Sequence, residues 1–355
     1  MRADIELPEY ALSRLERYRP LLGAEWETFL DALRRPLPVC AWRNAARLST
    51  EQFETWFREV EPDVALERLP WFERGYRLWA RGRRRPDPRP GNRLARALGL
   101  LHLQEEVSMV PAVLLDPRPG ERVLDLCGAP GNKTALIASL MEDRGTVICN
   151  DTDRTRLQAG RPAWERLGLS CIAASSHDGG SFPGEPAAYD RVLVDAPCSG
   201  EGTSRRNVSA LRPGPPGYYR MLHGRQRRIL TRAIELCRPG GRVVYSTCTY
   251  APEENELVIA DVLREVRRRG HAAALRPARI EGLDGGPGIT AWEGAEPGTA
   301  LAGELAGELH HALRIWPHQN DSGGFFVAVL EKAGADAGGA GGAGGPDGTR
   351  EAPDG

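Results

Sequence analysis

The sequence predicts an α/β chain: a doubly wound, mostly parallel sheet with an antiparallel late strand, preceded by a small α+β N-terminal part. Three observations predict it. From about Leu100 onward, short apolar strands alternate with helical stretches, the pattern of a parallel sheet covered on both faces. Before Leu98, aromatic and aliphatic residues recur at helical spacing in an arginine-rich segment. From Ala333 the chain becomes a Gly/Ala/Asp tail with too little apolar surface to order itself. The expected division is residues 1–98, 99–332 and a disordered 333–355.

In the first part, Leu12, Leu15 and Tyr18, then Trp26, Phe29, Leu30 and Leu33, then Phe53, Trp56, Phe57 and Val60 each mark one face of a helix. Pro36–Trp42 reads as a short strand entered from a turn. Arg81–Gly91 is basic and punctuated by proline and glycine, which predicts a linker over 81–93. In the second part the expected strands are Val123–Leu126, Thr146–Asn150, Ser170–Ala174, Asp190–Val194 and Arg242–Ser246. Helices through Ala135–Leu140, over Arg154–Leu167 and over Arg220–Cys237 separate them, the last stopped by Pro239-Gly-Gly241. Pro252 is expected to open a helix with Glu253, Glu254 and Glu256 in its first turn, where carboxylates suit the helix dipole. Gly323–Leu330 reads as a late strand with no helix after it, pairing antiparallel at or near the edge.

Composition narrows the function. The 355 residues carry 47 basic and 48 acidic side chains, a formal net charge of -1. Bulk positive charge is therefore excluded as a reason to expect a nucleic-acid partner, and any such surface must be local. No apolar run approaches the roughly 20 residues of a membrane span, and Met1–Pro8 lacks the features of a signal peptide. Seven scattered cysteines predict reduced thiols and a cytoplasmic protein. Only two of the 47 basic residues are lysine, Lys133 and Lys332. In such an arginine-biased chain, a lysine kept inside a glycine loop points to a need for a compact ammonium.

That loop is Asp125-Leu-Cys-Gly-Ala-Pro-Gly-Asn-Lys-Thr134, between a strand and a helix. Gly128 and Gly131 allow a ligand close to the backbone, and the helix N-terminus behind them favours polar or anionic groups. A phosphate-binding Walker A loop is excluded, because the glycine before the lysine is missing and the spacing is one residue short. A G-x-G-x-x-G fingerprint is absent as well. What remains is a nucleoside cofactor without a long phosphate tail. Asp151, at the end of the second strand, suits ribose hydroxyls, and Asp178, after the third, is placed to face an adenine edge. Such turns are also common as plain structure.

Two cysteines stand past the carboxyl ends of neighbouring strands, Cys198 in Asp195-Ala-Pro-Cys-Ser-Gly-Glu-Gly202 and Cys248 in Ser246-Thr-Cys-Thr-Tyr250. A thiolate there is a strong nucleophile once its pKa is lowered. Cys127, Cys149, Cys171 and Cys237 read as small packing residues. Spacing excludes a CxxC site, and His177, His223 and His318 show no ligand pattern, so no metal is expected.

Together with Gln104-Glu-Glu-Val-Ser-Met109 and Tyr245–Glu256, these motifs resemble the Nop/Sun family of RNA (cytosine-5) methyltransferases, which use S-adenosylmethionine. The resemblance covers roughly Leu101–Lys332 and, more weakly, Leu33–Pro38. It implies a Rossmann-like class I methyltransferase domain over 99–332, behind an RNA-binding N-terminal domain. It implies Cys248 as the nucleophile that adds to cytosine C6, and Cys198 as the thiol that helps release product. Asp195 would hydrogen-bond the base, and Lys133 would tune a thiol or steady an intermediate. The implied cofactor residues are Cys127, Gly128, Ala129, Pro130, Gly131, Asn132, Lys133, Asp151, Asp178 and Asp195. Gly128 departs from the alanine usual in the family, which should loosen the turn without removing a functional group.

Gly288–Trp292, Arg205-Arg-Asn207 and Pro317–Phe326 look closer to the tRNA-modifying branch than to the ribosomal-RNA enzymes, so tRNA is slightly favoured and rRNA is the alternative. A non-catalytic RNA-binding factor and a small-molecule methyltransferase are the competing classes. Arg83–Arg85, Arg205-Arg206, Arg225, Arg227, Arg228 and Arg267–Arg269 are the expected RNA-backbone footprint, against a plain alternative of solvated helix faces. A monomer with no membrane or metal partner is expected.

Overall fold

A computed structural model describes residues 5–82, 86, 87, 89–293, 301 and 305–333. The expectations for Arg83–Arg85 and for the tail from residue 334 lie outside the described residues.

The chain opens with helix α1 (Glu9–Leu15), a 3-10 turn through Tyr18, and α2 (Trp26–Arg34). Their apolar faces, with Leu15, Tyr18, Phe29 and Leu33, pack on Leu211, Tyr250 and Trp316 from far along the chain. A four-stranded antiparallel sheet follows, in the order β2-β3-β1-β4, from β1 (Val39–Arg43), β2 (Val64–Leu69), β3 (Phe72–Ala80) and β4 (Leu101–Leu103). Helix α3 (Thr50–Val60), started by a Ser49/Gln52 capping box, covers one face with Phe53 and Phe57. Because strand side chains alternate, Ala41 joins that face, while Cys40 and Trp42 turn to the large sheet's core. This small sheet takes β4 from beyond residue 98.

The large sheet runs β11-β12-β13-β9-β8-β5-β6-β7, with β10 also on β13. Its parallel half is β5 (Arg122–Asp125), β6 (Thr146–Asn150), β7 (Ile172–Ser175), β8 (Tyr189–Asp195) and β9 (Cys237–Thr247). The antiparallel half is β10 (Ala273–Arg276), β11 (Gly286–Pro287), β12 (Leu313–Ile315) and β13 (Phe325–Lys332). Alternate strand residues bury on opposite faces. Leu124, Val192, Val194 and Tyr245 meet helices α7 (Tyr218–Leu236) and α8 (Glu256–Arg268). Val123, Leu193 and Val244 meet α4 (Val110–Leu115) and α5 (Asn132–Leu140). Helix α6 (Arg154–Leu167) adds Trp164 to the second layer. Burial on both faces explains why β5, β8 and β9 read as continuous apolar runs.

β13 pairs antiparallel with β9 near the edge, as expected, with only the short β12 and β10 along its other side. Two other expectations change. The α7 helix stops at Leu236, and Pro239-Gly-Gly241 lies inside the start of β9. The lysine at the far end of β13, Lys332, donates to the carbonyls of Ile234 and Cys237, satisfying that helix end with a compact ammonium. Finally, α8 begins at Glu256, so Glu253 and Glu254 are not first-turn carboxylates exposed to solvent; both are fully buried in the preceding turn. Among the described residues, no helix is long and apolar enough to cross a membrane.

Candidate active site

The parallel strands deliver their loops to one edge. Asp195 of β8 is in register with Ser246 of β9, so the loops carrying Cys198 and Cys248 leave side by side. The two Sγ atoms stand 3.4 Å apart. Their neighbourhood is drawn tight by backbone contacts: Gly202 N donates to Cys248 O, and Gly324 N donates to Gly202 O, both at 2.9 Å. A Cβ on Gly202 would lie 2.1 Å from Gly324 O, so only glycine lets the three segments meet.

The acid and the lysine join them. Lys133, in the first turn of α5, donates from Nζ to Asp195 Oδ2 at 2.7 Å and to Ser108 Oγ at 2.9 Å. Ser246 Oγ donates to the other Asp195 oxygen at 2.8 Å. Burial opposes the charge on Lys133, but Asp195 more than offsets it and the pKa is raised. The Cys248 contact, followed by burial, pushes the Cys198 thiol well up, so Cys198 keeps its proton.

The glycine loop lies on the adjacent strand. Gly131 has φ +99°, and a Cβ there would meet the Trp164 ring at 2.4 Å; Trp164 Nε1 donates to Gly131 O. Ala129 N donates to Asp151 Oδ2 at 3.2 Å, tying the first loop to the tip of β6. Pro130 is exposed, Cys127 and Asn132 are half-buried, and Gly128 and Ala129 are buried. Asn132 Oδ1 sits 3.0 Å from His102 Nε2, and burial depresses His102 to about 4, leaving it neutral. Asp178 stands after β7, where its Oδ1 accepts from Gly180 N, Ser181 N and Arg228 Nη2.

Gly128 corrects one expectation: its turn is not loosened, since the position of a Cβ is already taken by Cys149 Sγ at 2.6 Å and the Asp125 carboxyl at 3.0 Å. The lysine side chain leaves the loop for Asp195, which does not suit phosphate binding. The loop backbone, Asp151 and Asp178, on three successive strand tips, suit a nucleoside with polar ribose and base edges. Among the described residues, no group of three or more His, Cys, Asp or Glu is arranged to hold a metal ion.

Several site residues carried no separate signal. Glu201, fully buried, accepts from Arg14 Nε, Tyr18 OH, Tyr219 OH and Thr249 Oγ1, and so pins the N-terminal helices to the Cys198 loop. An acid between two glycines in a rim loop was the available clue. Arg205 is a correction. It is 3% exposed and donates to the carbonyls of Arg35, Pro36 and Ser322 and to Asp321, so it is no part of a phosphate footprint; Arg206 is exposed. Arg227 and Arg228 are exposed but paired to Glu265 and Asp178. Arg267 and Arg269 pair with Glu308 and with Glu265 and Glu235, in keeping with a solvated helix face.

Known proteins resemble the chain in sequence and fold. The family described as 16S rRNA methyltransferase RsmB/F matches residues 112–331. The chain is 33% identical to the tRNA (cytosine(34)-C(5))-methyltransferase of Drosophila melanogaster, over 87% of this chain and 50% of that protein. It is 34% identical to ribosomal RNA small subunit methyltransferase F of Erwinia tasmaniensis, over 87% and 60%. It therefore spans only about half to three fifths of those two relatives. With the tRNA (cytosine(49)-C(5))-methyltransferase of Pyrococcus abyssi it shares 32% identity, over 90% of this chain and 95% of that one. A solved methyltransferase homologue from Pyrococcus horikoshii superposes with a TM-score of 0.71 at 29% identity, over 92% of this chain and all of that one. With these matches running along about nine tenths of its length, the chain belongs to the RsmB/F methyltransferase family.

Proposed function

We propose that the chain is an S-adenosylmethionine-dependent RNA methyltransferase acting on C5 of cytosine, with tRNA favoured over rRNA. The observation that carries this reading is the 3.4 Å approach of the Cys198 and Cys248 thiols beside the Lys133–Asp195 pair. Cytosine C5 is a poor nucleophile. Addition of the Cys248 thiolate to C6 converts the ring into an enamine-like species whose C5 takes up a methyl group. S-adenosylmethionine supplies that methyl group as an electrophile; Cys127–Lys133, Asp151, Asp178 and Asp195 are the residues that would hold it. Asp195, oriented by Ser246 and Lys133, hydrogen-bonds the base at its N3/N4 edge. Loss of the C5 proton to a base, with cleavage of the C6–S bond, then returns the Cys248 thiolate and frees 5-methylcytosine. Cys198 assists that last step.

The target base must be flipped or single-stranded to reach the rim. The tRNA preference draws on the Pyrococcus abyssi relative, which is matched almost end to end and is named for tRNA. Cys248→Ala is expected to abolish methyl transfer, and Cys198→Ala to trap a covalent RNA–protein adduct stable to denaturation. Full activity in Cys248→Ala overturns the assignment. Bisulfite sequencing of cellular RNA with and without the gene identifies the RNA and the nucleotide together.

A further inference from the structure

Cys198 lies in a three-residue turn held on both sides by one buried pair. Gln226, on α7, donates from Nε2 to Pro197 O at 2.9 Å and to Glu254 Oε2 at 2.8 Å. The same Glu254 oxygen accepts from Ser199 N at 2.9 Å. Cys198 sits between those two anchors, so the direction of its thiol is set by them. Glu254 comes six residues after Cys248, and the pair therefore ties both cysteine loops to one helix.

The pair is poorly designed for stability alone. Gln226 and Glu254 are fully buried, yet Gln226 Oε1 and Glu254 Oε1 have no hydrogen-bond partner among the described residues. Two orphaned oxygens on the residues that hold the Cys198 turn cost stability and call for another reason to be there. We propose that Gln226 and Glu254 are positioning residues for the Cys198 thiol, and that their contribution is to the step that releases the methylated base from Cys248. The proposal rests on the roles given to the two cysteines above. Burial pushes the Glu254 carboxyl up to about 7, which makes a neutral glutamine a close substitute for it.

The test uses the full chain and unmodified transcripts of the RNA found by bisulfite sequencing, with radiolabelled S-adenosylmethionine. The burst of methyl transfer in the first turnover, the steady-state rate and the denaturation-stable adduct are measured together. Glu254→Ala and Gln226→Ala are expected to keep the burst, to lower the steady-state rate about tenfold, the scale of losing the one hydrogen bond that each makes to the Cys198 turn, and to accumulate adduct. Glu254→Gln is expected to restore release, because its amide oxygen still accepts from Ser199 and Gln226. Equal losses of burst and steady-state rate, or adduct no higher than in the unmutated protein, overturn the proposal. Cys198→Ala runs alongside. If it traps adduct while Glu254→Ala does not, the positioning role alone fails; if it traps none, the cysteine roles fail and the proposal falls with them.

Discussion

Lys133 and Asp195 form a 2.7 Å ion pair that joins the helix after the glycine loop to the end of the strand that leads into the Cys198 loop. It is the contact through which the glycine-loop side of the rim and the thiol side share one charge arrangement.

Lys133→Ala is expected to lower methyl transfer by on the order of a hundredfold, since the acid loses the donor that orients it where charge develops. Lys133→Arg should not restore activity, because a planar fork does not fit where one compact ammonium reaches both Asp195 and Ser108. Ser108→Ala removes one neutral acceptor and should cost about fivefold, in line with ~1 kcal/mol. Initial rates at saturating substrate decide the order of the three.

Gly128→Ala is expected to destabilise the protein by about 1–3 kcal/mol, the usual range for overpacking a tight core. Cys149→Ala in the same chain should recover part of that loss by removing the sulfur 2.6 Å from the new methyl group. Denaturant unfolding of the two single variants and the double variant gives the interaction energy, and strictly additive effects would refute the packing argument.

Arg205 and Arg206 should separate cleanly. Arg205→Ala leaves three carbonyls and Asp321 without their donor and is expected to lower the melting temperature, with little change in the salt dependence of RNA binding. Arg206→Ala should leave stability almost unchanged and flatten the dependence of affinity on salt. The opposite pattern would mean that the burial of Arg205 is not what fixes its role.

Asp125 gives a pH signature. Burial pushes its carboxyl from 3.8 up to about 7, and one oxygen has no hydrogen-bond partner among the described residues while the other accepts from Thr134. A raised acid stabilises the fold fully below its unfolded pKa and loses that contribution as pH climbs through the folded value. The stability of Asp125→Asn relative to the unmutated protein should therefore grow between pH about 4 and about 7, by on the order of a few kcal/mol, and level off above. A difference that stays constant with pH would disprove the shift.

These outcomes also mark what could be seen in the sequence. The centre of the parallel half of the large sheet was legible because β5, β8 and β9 are buried in their central residues and each leads into a motif. The rim cysteines were legible by their place after neighbouring strands, and Lys133 by its rarity. The hairpin β2–β3 was not, since its exposed faces carry charges such as Glu67, Arg68 and Glu73 that blur an apolar pattern. Nor were Glu201 and Glu254: their meaning lies in partners such as Arg14, 187 positions away, and Gln226, 28 positions away, which no local window joins. Arg205 and Arg206 are chemically identical neighbours, and only tertiary packing buries one and leaves the other in solvent.

The grip of Arg14 and Tyr18 on Glu201 has a practical consequence for anyone dissecting the molecule. A fragment starting after the four-stranded sheet would bare an ionisable oxygen pair beneath the thiol loop and strip the stacked Tyr250 and Trp316 rings of their cover. Chimeras that graft a foreign RNA-targeting module onto this catalytic half should splice so that the first two helices travel with it.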